Sequence, residues 1–240
     1  MDEPLSYDLH IHSCLSPCGD DDMTPANIAG MCALKGLDVI AVTDHNSCRN
    51  CPAVLAAAAE YGLTALPGME LCTMEEVHVL CLFARLEDAL DFDAYVYPHI
   101  LPIDNDEELF GHQYYYDSND RIIGTEPRLL ISATDIPFSA VYELTEGYHG
   151  LMIPAHIDKS STSLLSNLGF VPPDSRFTCF ELTDLAHLHQ VRRDNPYLDR
   201  CRVISDSDAH YLGHIHEPEH TFLCPDRTPE AILRALAEPE

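Results

Sequence analysis

Short apolar runs alternate with helix-like segments through the first third of this chain, a pattern that restricts it to an α/β fold built from consecutive strand–helix units. Residues 6–12 read as a first strand. Thr24 suits a helix N-cap and Pro25 the first helical position, and Gly36 can stop that helix. Residues 37–42 then fit a buried strand, Pro52 opens an alanine-rich helix that Gly62 can close, and residues 63–66 and 77–83 supply a third and a fourth strand. Further on, residues 135–148 read as a helix and residues 151–153, 177–182 and 202–204 as three more strands.

A chain of 240 residues can bury one substantial core, so residues 1–240 are expected to form a single domain. Between residues 86 and 150 the pattern becomes irregular, with a hairpin signal around Tyr114 to Ile123, and this segment reads as an insertion within the domain. No apolar stretch approaches the roughly twenty residues of a membrane span, and the N-terminal residues lack the features of a secretory signal, so a cytoplasmic protein without membrane contact is expected. The formal net charge of -27 disfavours a long nucleic acid as partner, because affinity for the polymer rests on Lys and Arg neutralising phosphates. A small anion remains compatible with it if divalent cations make the site locally positive. Nothing in the sequence gives the oligomeric state.

His10 and His12 alternate on the first strand, so both imidazoles face the same side and can converge on one metal region. Alone, such a pair is weak evidence. Further candidates recur where other strands end: Asp44 and His45 after the second, Glu70 after the third, His78 in the fourth, His156 after the fifth, Asp208 and His210 after residues 202–204. Active sites of barrel enzymes are assembled at the carboxyl ends of successive strands, and independent accidents would have to recur at nearly every one to mimic this set.

These residues sit in text that resembles the polymerase and histidinol phosphatase family, the PHP domain. The matching stretches are Asp8-Leu9-His10-Ile11-His12-Ser13, Ala41-Val42-Thr43-Asp44-His45-Asn46, Pro67-Gly68-Met69-Glu70, Pro154-Ala155-His156 and Ser207-Asp208-Ala209-His210. The resemblance implies a distorted, TIM-like barrel of seven β-strands and a cluster of two or three divalent ions, usually zinc, manganese or iron. It implies His10, His12, His45, Glu70, His78, His156, Asp208 and His210 as ligands, with Glu70 bridging two metals. One further acidic ligand is expected in the loop after His12; counting back from Thr24-Pro25 favours Asp20, with Asp21 and Asp22 as alternatives.

The implied chemistry is attack on phosphorus by a metal-bridging hydroxide, with a small phosphorylated substrate. Glu70 and Asp208 are the catalytic carboxylates on this reading, and Lys159, three residues after His156, is the first candidate for an electrostatic clamp on the phosphate. Arg192 and Arg193 are weaker choices, and an ordinary surface ion pair competes for each basic residue. A nuclease or phosphodiesterase acting on short oligonucleotides and a non-catalytic metal-binding regulatory module are the alternatives. His187 with His189 and His214 with His216 repeat the spacing of His10 and His12 without a strand to end; they, and His99, His112, His149 and His220, are read as surface or supporting residues. Cys14, Cys18, Cys48 and Cys51 could form a separate zinc or iron–sulfur site, but reduced thiols are preferred because the first spacing is loose.

Overall fold

The computed structural model describes residues 2–238, and its elements begin with β1 (Glu3–Ile11), α1 (Pro25–Lys35), β2 (Val39–Val42), α2 (Cys51–Tyr61), β3 (Thr64–Cys72) and β4 (His78–Leu82). There follow α3 (Leu86–Val96), α4 (Glu107–Phe110), the hairpin β5 (Tyr114–Tyr116) and β6 (Ile122–Thr125), α5 (Phe138–Gly147) and β7 (Leu151–Pro154). The chain continues through α6 (Leu164–Asn167), β8 (Cys179–Glu181), α7 (Leu188–Asp194), β9 (Arg202–Ile204), β10 (Thr221–Cys224) and α8 (Pro229–Ala237). Among the described residues no helix is long and apolar enough to cross a membrane.

Local chemistry sets the first helices as the sequence indicates. The Thr24 hydroxyl accepts from Asn27 N–H, Pro25 occupies the first turn, and Gly36 and Gly62 end α1 and α2 in the left-handed conformation that glycine adopts without steric cost.

The sheet departs from the expected seven-stranded, mainly parallel barrel. Six strands pair in the order β10-β1-β2-β3-β4-β7; β1–β2 and β2–β3 are parallel, whereas β1–β10, β3–β4 and β4–β7 are antiparallel. β8 and β9 form a separate parallel pair. Side-chain carboxylates at the two seams explain the separation. Beside β7, the His156 N–H donates to Glu181 (2.9 Å) rather than to a strand carbonyl. Beside β1, Leu9 N–H donates to Asp206 (2.6 Å) and Ser207 N–H to Asp8 (3.1 Å), and Ile11 and Ala209 make an isolated parallel bridge. The sheet therefore curls towards closure, with acidic side chains taking amides that a continuous ladder would have used.

Alternation along β3 and β4 separates the two largest clusters of the core. Met69, Leu71, Val79 and Cys81 pack with Phe92 and Val96 of α3 and Val141 of α5, while Leu66, Leu80 and Leu82 pack with Leu5, Leu9 and Ile232 of α8. Residues 86–150 thus supply two helices to the main core, and their irregular part, residues 97–137, covers it, anchored by buried Ile100, Leu130 and Ile136. β10 and α8 were not expected from the sequence.

Strand β3 changes partner midway: Pro67 pairs with Val42 of β2, and Gly68 with Leu82 of β4. A Cβ on Gly68 would lie 2.7 Å from the Cys81 carbonyl oxygen and 2.8 Å from a Leu82 methyl carbon, so the crossing tolerates only glycine. Gly68→Ala should destabilise the protein by about 1–3 kcal/mol through overpacking. Urea unfolding measures it, and an unchanged midpoint would show that the β3–β4 pairing has slack.

Candidate metal centre

Glu70 lies at the centre of the imidazole cluster. It sits near the end of β3 with 1% of its surface exposed, and His45 at the end of β2 meets it through an isolated parallel bridge. His78 Nδ1 (2.8 Å), His156 Nε2 (3.1 Å) and His10 Nε2 (3.2 Å) approach one carboxylate oxygen; His45 Nδ1 (2.9 Å) and His12 Nε2 (3.5 Å) approach the other. Asp208 Oδ1 adds a second carboxylate, 3.2 Å from His12 Nε2 and 3.5 Å from His10 Nε2. His210 stacks on His12 with ring centroids 4.4 Å apart.

The outer nitrogens of several rings are already engaged, which fixes the direction of their lone pairs. Ser16 Oγ donates to Asp44 Oδ1 (2.7 Å), so against His12 Nδ1 (2.9 Å) it can only accept, and that nitrogen carries the proton. His10 Nδ1 donates to Glu181 (3.0 Å) and His210 Nδ1 to the Asp208 carbonyl (2.8 Å). In their neutral forms His10 and His12 therefore point two Nε2 lone pairs at each other across 3.2 Å. Two lone pairs at that distance repel unless a proton or cation lies nearby. His45 Nδ1 and Glu70 Oε2, both buried, lack a hydrogen bond even though they approach to 2.9 Å, because their alignment is wrong for one.

The chemistry of the donor set fits divalent metal ions. Donors about 2.1 Å from one ion stand about 3.0–3.4 Å apart, and several of the separations above lie in that range. Four overlapping triads have the necessary proximity: His12/His45/His210, His10/His12/Asp208, His10/Glu70/His156 and His45/Glu70/His78.

Protonation answers the same charge. Burial alone would raise the Glu70 pKa, but His78, His10 and His45 hold it well below the carboxylate range. Burial lowers His12 and His45; for His10 and His78 it is outweighed, by Glu181 and Glu70 in the first case and by Glu70 in the second, so His10 rises and His78 is pushed up to about 10. Cations would replace these protons.

A cleft of about 360 Å³ opens onto the cluster, with Lys159 at its rim paired to Asp208, and Ile131 and Ala133 on another wall. Burial alone would lower the Lys159 pKa, but Asp208 outweighs it and keeps the ammonium charged. Eight of the expected ligands are thus brought together. Asp20 is not among them: its carboxylate accepts from Asp22 N–H in an exposed turn, and Asp21 and Asp22 are exposed. Arg192 donates to the Cys201 carbonyl and Arg193 pairs with Asp194, both away from the cleft. Exposed His187 bonds Asp158. Cys48 and Cys51 lie in the core beside Met69, Cys14 packs with Ala53 and Tyr116, and Cys18 is exposed at the cleft; among the described residues no potential metal group includes a cysteine.

Sequence reasoning missed Glu181, whose carboxylate orients His10 and holds His156 N–H. An acidic residue at the end of a strand was the available signal. Such supporting partners tune ligand basicity, so Glu181→Gln should weaken metal affinity about 10–100-fold, measured by chelator competition. Wild-type affinity in this variant would remove Glu181 from the site.

Residues 8–158 match the family model described as the PHP domain. An uncharacterized protein of Methanocaldococcus jannaschii is 34% identical over 79 residues, 30% of this chain and 46% of that protein. The fold is similar to that of endonuclease Q, a lesion-specific endonuclease of Pyrococcus furiosus, at 20% identity and TM-score 0.68, covering 98% of this chain and 56% of that one. It also resembles a protein of Bifidobacterium adolescentis named as a candidate metal-dependent phosphoesterase, at 18% identity and TM-score 0.55, covering 97% and 98%. The chain thus spans little more than half of endonuclease Q. A second endonuclease Q structure (19% identity, TM-score 0.64, covering 98% and 56%) holds a 27-mer duplex with an abasic lesion at the active site. This overturns the exclusion of a long nucleic acid by net charge: charge summed over a whole surface does not give the potential in a cleft that gathers cations.

Proposed function

This chain belongs to the PHP domain family, and from that membership we propose that it is a metal-dependent phosphoesterase with its reaction centre at Glu70. The observation that carries the reading is the approach of two ring nitrogens, His10 Nε2 and His12 Nε2, to 3.2 Å beside two carboxylates. His10, His12, His45, Glu70, His78, His156, Asp208 and His210 would hold two or three ions of zinc, manganese or iron; mixed nitrogen and oxygen donors suit these better than magnesium. Bound there, the ions would neutralise charge on phosphoryl oxygens and make water a better nucleophile near neutral pH.

The chain's own residues do the positioning. Glu181 and the Ser16–Asp44 pair lock the His10 and His12 rings so that Nε2 faces Glu70 and Asp208. Glu70 presents an oxygen to each side of the cluster and thus joins two of the four triads, that of His10 and His156 and that of His45 and His78. The Lys159 ammonium, 40% exposed at the rim, can swing from Asp208 to a phosphoryl oxygen, holding the ester against the cluster and stabilising charge that grows on it.

Scission of a phosphodiester in nucleic acid is the second reading, supported by the likeness to endonuclease Q over nearly all of this chain. Assays on p-nitrophenyl phosphate, its bis ester and an abasic-site duplex separate the two. On whichever is cleaved, Glu70→Gln and Asp208→Asn should each lower kcat about a hundredfold or more with a smaller change in KM, since an amide keeps the shape and loses the charge. Wild-type turnover and metal content in both variants would displace the proposed centre.

A further inference from the structure

The cleft has a charged floor and, on one side, an apolar wall. Ile131 and Ala133 face it from the surface segment before α5, while their neighbours Leu130, Ser132 and Thr134 are buried behind them. Irregular backbone of this kind keeps one position only if its polar groups are bound elsewhere. Here a single buried side chain binds two of them. Asn46 Nδ2 donates to the Leu130 carbonyl (2.7 Å) and to the Ser132 carbonyl (2.8 Å), and its Oδ1 accepts from Cys72 N–H (2.8 Å).

Asn46 is fully buried and follows His45 directly; its own N–H donates to the Glu70 carbonyl (2.9 Å). Its φ of 49° is left-handed, a conformation asparagine tolerates better than most residues. From the other side Gln113 accepts from Leu130 N–H (2.9 Å), and Thr134 N–H and hydroxyl both donate to the Cys72 carbonyl (2.9 and 2.8 Å). The wall is therefore tied to the strand ends that carry His45 and Glu70.

We infer that Ile131 and Ala133 form the leaving-group subsite, favouring esters whose leaving group presents an apolar or aromatic face, and that Asn46 is the positioning residue that sets this wall against the metal cluster. The inference rests on the phosphoesterase reading for the word leaving group, but the wall can be tested without turnover. An aromatic ring set over Ile131 loses contact with water, whereas a methyl group at the same phosphorus cannot reach as far.

Phenylphosphonate and methylphosphonate share a charged head and differ only in the group offered to the wall. Calorimetric binding to the metal-loaded protein should show phenylphosphonate bound at least tenfold more tightly. In Ile131→Ala that preference should fall at least fivefold. In Asn46→Asp it should fall comparably, because a carboxylate cannot donate to either carbonyl, and amide exchange across residues 129–134 should quicken at least tenfold. Should Asn46→Asp fail to fold, Ile131→Ala still decides the subsite, and Asn46→Gly, which suits the left-handed backbone and lacks the amide, decides the positioning role by the same preference and exchange. No preference in the wild type, or a preference unchanged in Ile131→Ala, overturns the subsite; unchanged preference and exchange in a folded Asn46→Asp overturns its positioning role. A phosphonate preference without hydrolysis of any ester would leave the wall standing and sink the phosphoesterase reading instead.

Discussion

A carboxylate buried to 1% exposure and ringed by imidazoles is the constraint around which this molecule is arranged. Desolvating Glu70 is costly unless positive charge compensates it, and the nearest candidates are five rings whose nitrogens reach it within 3.5 Å. Protons on some of those rings can serve, and the neighbouring carboxylates raise the pKa of His10 and His78 in that direction. Divalent cations serve better, because they satisfy the carboxylate and the opposed lone pairs of His10 and His12 together.

The same requirement shapes the sheet. Glu181 ends β8, and its carboxylate takes both the His10 ring and the His156 amide; Asp206 and Asp8 take amides at the seam with β1. Backbone pairing at these seams is reduced to a few bonds, among them Ile157 N–H to the Glu181 carbonyl and His12 N–H to the Ala209 carbonyl, and carboxylates take further amides close to the ligands they support. Gly68, where β3 passes from β2 to β4, allows the close approach that brings Glu70 beside His78.

Much of the centre was legible in the sequence because its residues obey two simple periodicities: alternation on a strand, and recurrence at strand ends. His10, His12, His45, Glu70, His78, His156, Asp208 and His210 converge for that reason. Asp20 was placed by counting along a loop, and loops have no period to count by; the turn that its carboxylate makes with Asp22 is a local solution. The seven-stranded ladder failed because carboxylate-for-backbone substitution at a seam leaves no trace in hydropathy. α8 was overlooked although Thr228 and Pro229 repeat the cap signal of Thr24 and Pro25. Whole-chain charge misled about nucleic acid, since the sum is blind to where cations collect.

Elemental analysis of the protein, purified without chelators and measured beside its phosphoester hydrolysis, tests the central claim most directly. The expected result is at least two tightly bound transition-metal ions per chain, with stripping abolishing hydrolysis and readdition restoring it. Full hydrolytic activity in protein that carries no metal would contradict it.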